Sequence, residues 1–357
     1  MEHQKIECYK CKKLLADNLV LPKGLCVYCA ADEADQLPQP QKQPKINKKE
    51  ENAQIRAEQE LAMRILSRKR MLPFVEKFNP DYQAGWVHKD VCRRLEKFSK
   101  DVAEKKSPRL MLFMPPRHGK STLASIAFPA WHLGRNPGHE FISCSYSGSL
   151  AMSFSRKVRQ VLREPNYKNI FENAKLDKDS QSVESWQTTH GGGYVAAGVG
   201  GGITGKGAHV LLIDDPVKNR EDAESENNRE ATWDWYTSTA YTRLSPGGGI
   251  LVILTRWHDD DLAGRLLQHA ENGADEWEVV KYPAIAEEDE EFRAAGEPLH
   301  PERYNLESLE MIQKAIGPRD WTALYQQNPV SDEGDYFTRD MVRYYEPDEI
   351  DYDRLRY

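Results

Sequence analysis

The sequence has 357 residues, with 49 lysines and arginines against 56 aspartates and glutamates, so its formal net charge is −7. This acidic balance does not favour a protein that coats DNA with its whole surface, because phosphate binding scales with the number of cations placed against the backbone. No apolar run reaches membrane-spanning length and the amino terminus lacks a signal-peptide core, so the sequence predicts a cytoplasmic protein with one large domain and a small module.

Two Cys-x-x-Cys pairs stand near the amino terminus, separated by 14 residues. Four thiolates at this spacing suit tetrahedral Zn²⁺, so we predict a zinc-ribbon module over residues 1–30, with the ligands Cys8, Cys11, Cys26 and Cys29. A pair of disulfides is the alternative. It is disfavoured because nothing marks the chain as secreted and cytosolic thiols stay reduced.

A polar segment rich in Gln, Pro, Asp and Lys follows over residues 31–49, and its composition predicts a flexible linker. Residues 50–70 then have helical composition, with Leu61, Ile65 and Leu66 on one stripe. We place the start of the large domain at this helix and its end near residue 330.

A phosphate-binding loop follows a predicted buried strand at 109–114. The motif Pro-Pro-Arg-His-Gly-Lys-Ser-Thr offers backbone N–H groups, a helix start and a lysine to an anion. Met114 stands where the usual pattern has its first glycine, so the match is partial, and surface turns before helices also produce Gly-Lys-Ser by chance. The predicted nucleotide-binding residues are Arg117, His118, Gly119, Lys120, Ser121 and Thr122, with Ser121 also holding Mg²⁺.

The middle of the chain predicts further elements around this loop. Residues 139–145 are typical of a strand, residues 150–162 of a basic helix, and residues 186–203 of a hairpin with glycine-rich turns. Arg156, Lys157 and Arg159 on the helix could face DNA, but a solvated charged face is the more favoured interpretation. Cys92 and Cys144 have no pairable spacing and are predicted to be core residues.

Paired carboxylates end a second apolar strand at 208–214. A nucleotide hydrolase needs such a pair beside its phosphate loop: Asp214 would bind Mg²⁺ through its water shell, and Asp215 would polarise the attacking water. With both motifs in order along the chain, a chance origin of either becomes improbable.

A third strand at 250–254 ends in Thr-Arg-Trp-His and is followed by a helical segment at 259–267. Polar residues that follow parallel strands face the ligand crevice of an open sheet, which places Thr255 and Arg256 there. A further strand is predicted at 276–281, and helices at 306–316 and 319–327 are expected to close the domain as a lid or linker.

Three motifs in this order resemble the large terminase subunit of tailed bacteriophages and prophages: Pro-Pro-Arg-His-Gly-Lys-Ser, Ile-Asp-Asp-Pro and Thr-Arg-Trp-His-Asp-Asp-Asp-Leu. The resemblance covers about residues 70–345. It implies an ATP-driven motor in the host cytoplasm that moves double-stranded DNA into a procapsid. It also implies a carboxyl-terminal nuclease domain, towards which residues 331–357 would lead and which is expected only in a longer protein.

The resemblance also assigns partners and roles. It implies contacts with the portal protein and the small terminase subunit, and a homo-oligomeric ring on the procapsid. Many family members offer an arginine to the ATP of the neighbouring subunit where this chain has Lys206, and Arg117 could fill that role within one subunit. Thr255, with Arg256, would report the state of the γ-phosphate. His88 lies in the region that approaches the adenine, although a helix-capping or surface role is favoured.

The sequence therefore predicts an α/β P-loop NTPase of the ASCE type, with a mainly parallel sheet, helices on both faces and a tethered zinc ribbon. The predicted function is ATP hydrolysis coupled to DNA translocation, with Mg²⁺ and Zn²⁺ as metals and no membrane contact. The alternatives are a helicase-like or repair ATPase, and a zinc-ribbon adaptor whose ATPase core only switches conformation.

Overall fold

The computed structural model describes residues 5–7, 12, 14–16, 48–203 and 205–329. It divides into two compact units, Met1–Glu60 and Leu61–Tyr357. In the first unit, strand β1 (Lys5–Glu7) pairs antiparallel with β2 (Leu14–Ala16). The predicted zinc ligands Cys8, Cys11, Cys26 and Cys29 lie outside the described residues, so the zinc site stays a prediction.

Ten α-helices lie within the described ranges, and the longest, α1, confirms the helix predicted for 50–70. None of the helices there is long and apolar enough to span a membrane. The helices are α1 (Lys48–Lys69), α2 (Met71–Phe78), α3 (Trp86–Ala103), α4 (Phe128–Arg135), α5 (Gly148–Arg163), α6 (Pro165–Ile170), α7 (Arg220–Glu224), α8 (Glu226–Trp235), α9 (Leu262–Glu271) and α10 (Leu306–Asp320). Short π-helical turns precede α4 at Thr122–Ala127 and follow α8 and α10 at Tyr236–Ala240 and Trp321–Tyr325.

An eight-stranded sheet forms the centre of the second unit, in the order β10-β3-β9-β8-β4-β7-β6-β5. Its strands are β3 (Arg109–Phe113), β4 (Glu140–Ser145), β5 (Leu176–Gln181), β6 (Ser185–Thr188), β7 (Gly193–Gly198), β8 (Ala208–Asp214), β9 (Leu244–Leu254) and β10 (Glu278–Lys281). The six strands from β10 to β7 are parallel, and β6 and β5 add an antiparallel edge. The carboxyl ends of β3, β9 and β8 are therefore adjacent, which brings the three sequence motifs to one edge.

Hydrophobic cores lie on both faces of the sheet. Leu110 and Leu112 of β3 belong to the core that includes α3, whereas Met111 and Phe113 belong to the core that includes α9. This division follows from the alternation of side chains along a strand, and it makes β3 a nearly continuous apolar run. The predicted α/β architecture with helices on both faces is confirmed.

Cys92 and Cys144 are buried free thiols. Burial is the main cause that raises the pKa of each thiol, which keeps both groups protonated and unreactive. The prediction that they are core residues is confirmed.

Four elements differ from the sequence prediction. The closing helices predicted at 306–316 and 319–327 are instead α10, which is kinked at Gly317, and the π-helical turn that ends at Tyr325, so Gln327 lies outside the helix. Strand β5 is not predicted, because Leu-Asp-Lys-Asp-Ser-Gln has no apolar alternation. Strand β9 begins at Leu244 rather than at 250, because its first half contains a proline and three glycines that favour a turn. Helix α9 begins at Leu262 rather than at 259, because the Asp261 carboxylate accepts the backbone N–H of Gly264 at 2.9 Å and caps the helix.

Gly249 in β9 is required for packing against α3. A Cβ atom there would lie 2.6 Å from Cζ of Phe98 and 2.8 Å from Cγ2 of Val102. We expect Gly249→Ala to lower the free energy of unfolding, measured by urea denaturation, by about 1–3 kcal/mol through overpacking. Gly202→Ala is the matched control, since a Cβ there would meet no atom of the described residues within 4 Å. Equal stability of the two variants would contradict this account.

Candidate nucleotide site

The loop between β3 and the following helix curls through two left-handed residues. Arg117 has φ 65° and Gly119 has φ 89°. A Cβ on Gly119 would also lie 2.9 Å from the Tyr82 hydroxyl oxygen. The glycine therefore meets both a conformational and a steric requirement, and the loop has the curled form that presents backbone N–H groups to phosphates.

Lys120 is held at the meeting point of the three motifs. Its ammonium Nζ lies 2.9 Å from Oδ2 of Asp215 and donates a hydrogen bond to the Thr255 hydroxyl. The backbone N–H of Thr255 donates to Oδ1 of the same Asp215 at 2.9 Å. The predicted phosphate lysine, the second acidic residue and the residue after β9 therefore form one hydrogen-bonded group.

Asp214 is buried at the end of β8 and accepts hydrogen bonds from two hydroxyls. Ser121 Oγ lies 3.3 Å from its Oδ1, and Ser125 Oγ donates to its Oδ2 at 2.6 Å. Burial, with a further contribution from Asp215, raises the pKa of Asp214, while Lys120 and the two hydroxyls act in the opposite direction. Hydroxyl and carboxylate oxygens are hard ligands, so Ser121 and Asp214 are suited to hold Mg²⁺ or its water shell.

Ser125 is a site residue that the sequence motifs do not include. It lies four residues after Ser121, so one turn of helix brings both hydroxyls to Asp214. The spacing of four residues between Ser121 and Ser125 is the sequence signal that identifies Ser125 as a candidate site residue.

A cavity of about 220 Å³ opens beside Gly119. It is lined by Asn79, Asp81, Tyr82, Gln83, His88, Gly119, Thr122, His300 and Arg303. The Tyr82 hydroxyl and both ring nitrogens of His300 are buried without a hydrogen-bond partner among the described residues, and the carboxylate of Glu302 lies 3.6 Å from Nε2 of His300. Unsatisfied buried polar atoms are costly, and these three belong to residues that line the cavity, so a small movement of either side chain would let a polar ligand satisfy them.

His88 and His118 are locked in defined neutral forms. The backbone N–H of Gly85 donates to Nδ1 of His88 at 2.9 Å, so His88 carries its proton on Nε2 and donates it to the His118 carbonyl at 3.1 Å. His118 donates from Nδ1 to the Pro116 carbonyl at 2.9 Å and stacks on Tyr304 at a ring distance of 4.7 Å. The favoured capping role of His88 at the start of α3 is thereby confirmed.

Burial lowers the pKa of both His88 and His118 to about 4, from an ordinary value of 6.5. Between pH 6.5 and pH 4 the unfolded chain takes up protons on these rings and the folded chain does not. Each histidine should therefore reduce the free energy of unfolding by about 1–2 kcal/mol as the pH falls to 5, while Asp214, whose pKa is raised, acts in the opposite direction.

The direct measurement is an NMR titration of the ring Hε1 signals in histidine-labelled protein. We expect the His88 and His118 signals to stay at their neutral positions down to pH 5. Gln replacements of His88 and His118 assign the two signals. Midpoints near 6.5 for His88 and His118 would contradict the buried neutral arrangement.

Other predicted site residues lie apart from this group. Arg117 is exposed on the phosphate loop and has no hydrogen bond or ion pair to any residue that the structure describes. Lys206 is exposed just before β8, at the opposite edge of the sheet from the phosphate loop. Within its own chain Lys206 therefore cannot reach the site, whereas Arg117 lies on the phosphate loop itself.

The guanidinium of Arg256 does not face the phosphate loop. It forms a buried ion pair of 2.7 Å with Asp261, donates to the carbonyls of His258 and Asp259, and lies over the ring of Phe113. The side chain therefore fixes the loop after β9, and what lies next to Thr255 is the Arg256 backbone amide.

The basic face of α5 is largely solvated. Arg156 and Lys157 are exposed, and the pKa of Arg159 is lowered by partial burial and then by the positive charges of Arg163 and Arg156. These cations repel one another, and an approaching DNA backbone would relieve that repulsion. Contact with DNA stays a prediction.

Comparison with known proteins matched residues 111–343 to the family described as "Terminase large subunit, T4likevirus-type, N-terminal". Among solved structures, the chain is similar to the large terminase of bacteriophage HK97, at 15% identity and a TM-score of 0.48, over 73% of this chain and 55% of that one. The large terminase of a thermophilic bacteriophage aligns at 10% identity and a TM-score of 0.39, over 67% of this chain and 53% of that one. The chain thus spans about half the length of these structures. A search of curated proteins found no match.

Proposed function

We propose an ATP-hydrolysing motor function for this chain, which belongs to the terminase large-subunit family. The observation that carries the proposal is the convergence of Lys120, Asp214, Asp215 and Thr255 at the carboxyl ends of adjacent parallel strands. In open α/β sheets this edge is where ligands bind. The substrate that fits a curled N–H loop, a lysine and paired carboxylates is a nucleoside triphosphate with Mg²⁺.

The geometry supports a division of labour among these residues. Ser121 and Asp214 would hold Mg²⁺, which neutralises charge on the phosphates. In the described site Lys120 is paired with Asp215, so phosphate oxygens must draw the ammonium away from that carboxylate. We propose that this exchange frees Asp215 to orient and polarise the attacking water, while Arg117 in the same subunit or Lys206 from a neighbouring one stabilises the transferred phosphoryl group.

The cavity beside Gly119 is the proposed site for the base. Its position next to the phosphate loop and its unsatisfied atoms on Tyr82 and His300 suit the polar edge of adenine. Gln83 and Arg303 line the same space and offer further donors.

Removing the Tyr82 hydroxyl should have two separable effects. We expect Tyr82→Phe to weaken ATP binding several-fold, because the base loses a partner, and not to destabilise the nucleotide-free chain, because a buried unsatisfied group is removed. Isothermal titration and thermal unfolding measure the two quantities. Tyr194→Phe, which removes a buried hydroxyl on β7 outside the cavity, should leave ATP affinity unchanged. Unchanged ATP affinity in Tyr82→Phe would remove this hydroxyl from the base site.

At the level of the assembly, we propose that the motor moves double-stranded DNA into a procapsid. The proposed partners are DNA, the portal protein, the small terminase subunit and further copies of this chain in a ring. Zn²⁺ bound by the four amino-terminal cysteines belongs to the same proposal, as does a nuclease active only in a longer protein. Family membership supports the packaging assignments, whereas the zinc site is supported by the spacing of the cysteines alone.

Steady-state ATP turnover on the purified chain tests the function. Turnover with Mg²⁺ that DNA, portal or procapsids stimulate is the expected result for a packaging motor. A single turnover followed by a stable nucleotide complex would instead favour an adaptor that switches conformation. Directional separation of DNA strands would favour the helicase-like alternative.

A further inference from the structure

A buried amide near the end of the described chain contacts the residue next to the proposed γ-phosphate sensor. Gln327 is 2% exposed and has a left-handed backbone with φ 57°. Its Oε1 accepts the backbone N–H of Arg256 at 3.2 Å, and its Nε2 donates to the Leu324 carbonyl. Both ends of the amide are therefore satisfied, one of them by the peptide unit that follows Thr255.

That peptide unit is tied directly to the phosphate loop. The Thr255 hydroxyl binds Lys120, and the Thr255 N–H binds Asp215. The peptide that joins Thr255 to Arg256 lies between these bonds and the bond to Gln327. A shift of Thr255 that follows the movement of Lys120 must therefore either carry Gln327 with it or break a buried hydrogen bond.

The same carboxyl-terminal segment also contacts the chain that follows β8, the strand that ends in the paired aspartates. Arg220, which begins α7 after β8, donates to the Trp257 carbonyl at 2.9 Å and to the Asp320 carboxylate. Residues 320–327 thus touch the chain that follows β8 and the chain that follows β9. These are the two strands whose ends carry the paired aspartates and Thr255.

The neighbouring glutamine has a different partner. Gln326 accepts the N–H of Ile285 at 3.1 Å, donates to the Ile285 carbonyl at 3.0 Å and reaches Glu287 at 3.1 Å. It fastens the segment to the loop after β10, which carries none of the three motifs. Of the two adjacent buried glutamines, Gln326 therefore anchors the segment and Gln327 contacts the peptide next to Thr255.

We propose that Gln327 is a positioning residue that couples the nucleotide state at Thr255 to the segment leading out of the ATPase domain. This inference rests on the proposed ATPase function. Because losing a partner is costly for a buried amide, Gln327 is expected to follow the Thr255 to Arg256 peptide when that peptide moves. Nucleotide exchange at the phosphate loop is thereby transmitted to Asn328.

Hydrogen exchange of the whole chain, with Mg²⁺ and either ADP or a non-hydrolysable ATP analogue, tests the proposal. The reporter is the amide of Asn328, which donates to the Thr322 carbonyl at 2.9 Å. We expect its exchange rate to differ at least about threefold between the two nucleotides in the wild-type chain. Gln327→Met keeps the length of the side chain and removes its polar atoms, so this difference should vanish while both nucleotides still bind.

Gln326→Met is the matched control, because it removes an adjacent buried amide of the same size that does not contact Arg256. We expect this variant to keep the nucleotide-dependent difference. A normal response in Gln327→Met, or an equal loss in both variants, would overturn the coupling role. So would a wild-type chain that binds both nucleotides without any difference at Asn328. Failure of the wild-type chain to bind either nucleotide would instead overturn the proposed ATPase function.

Discussion

Asp215→Asn should leave ATP bound but unhydrolysed, whereas Lys120→Ala should abolish nucleotide binding. The asparagine side chain can still accept the Thr255 N–H, so the loop keeps its shape, but it no longer supplies a carboxylate to polarise water. A lost contribution of about 3 kcal/mol to the barrier lowers kcat by roughly a hundredfold or more. Lys120 has a different proposed role, since its ammonium is the charged group that the outer phosphates would contact.

Equilibrium binding and single-turnover hydrolysis separate the two roles. The isosteric change at Asp215 also removes the ion-pair partner of Lys120, so ATP affinity should be equal to or higher than that of the wild-type chain. Asp179→Asn, an exposed change of the same charge on β5, serves as the control and should hydrolyse ATP normally. Near wild-type turnover in Asp215→Asn would remove this carboxylate from the mechanism.

Thr255→Val should uncouple the motor. Valine keeps the shape of threonine but loses the hydroxyl that bonds Lys120 and lies 3.3 Å from the Met114 carbonyl. The phosphate loop and paired aspartates remain, so we expect ATP to bind while DNA packaging by the variant falls below detection. Packaging into procapsids and ATP binding are the two measurements.

Thr255→Ser is the control for this prediction, because it restores a hydroxyl at the same position. It should package DNA at a substantial fraction of the wild-type rate. Normal packaging by the valine variant would assign coupling to the backbone path through Gln327 alone, without the Thr255 hydroxyl.

The centre of the site is accessible from sequence because three short motifs each follow an apolar run. Parallel strands place their carboxyl ends together, so the sequence alone predicts that Lys120, Asp214 and Thr255 lie close to one another. The order of strands is not predictable from these motifs, and that order puts β9 between β3 and β8. It is this order that lets Thr255 touch both Lys120 and Asp215.

The remainder of the site depends on tertiary packing. Tyr82 and His300 meet at one cavity although about 200 residues separate them, and neither stands in a recognisable motif. The motif after β9 predicts Arg256 beside the nucleotide, but its guanidinium turns to Asp261, whose spacing of five residues gives no signal. The sequence predicts that Gln327 is part of a closing helix. Its contact is with the backbone of Arg256, and no sequence pattern indicates a contact of that kind.

Under the proposed mechanism, the ion pair between Lys120 and Asp215 would keep the site inactive until a nucleotide binds. While the ammonium is paired with the carboxylate, a water molecule there would meet a neutralised pair and not a free base. In this proposal the site becomes competent when the phosphates of the nucleotide displace Asp215 from Lys120. In a ring of such subunits, nucleotide binding and activation of the catalytic carboxylate would be the same event. A subunit without nucleotide would then have no active carboxylate.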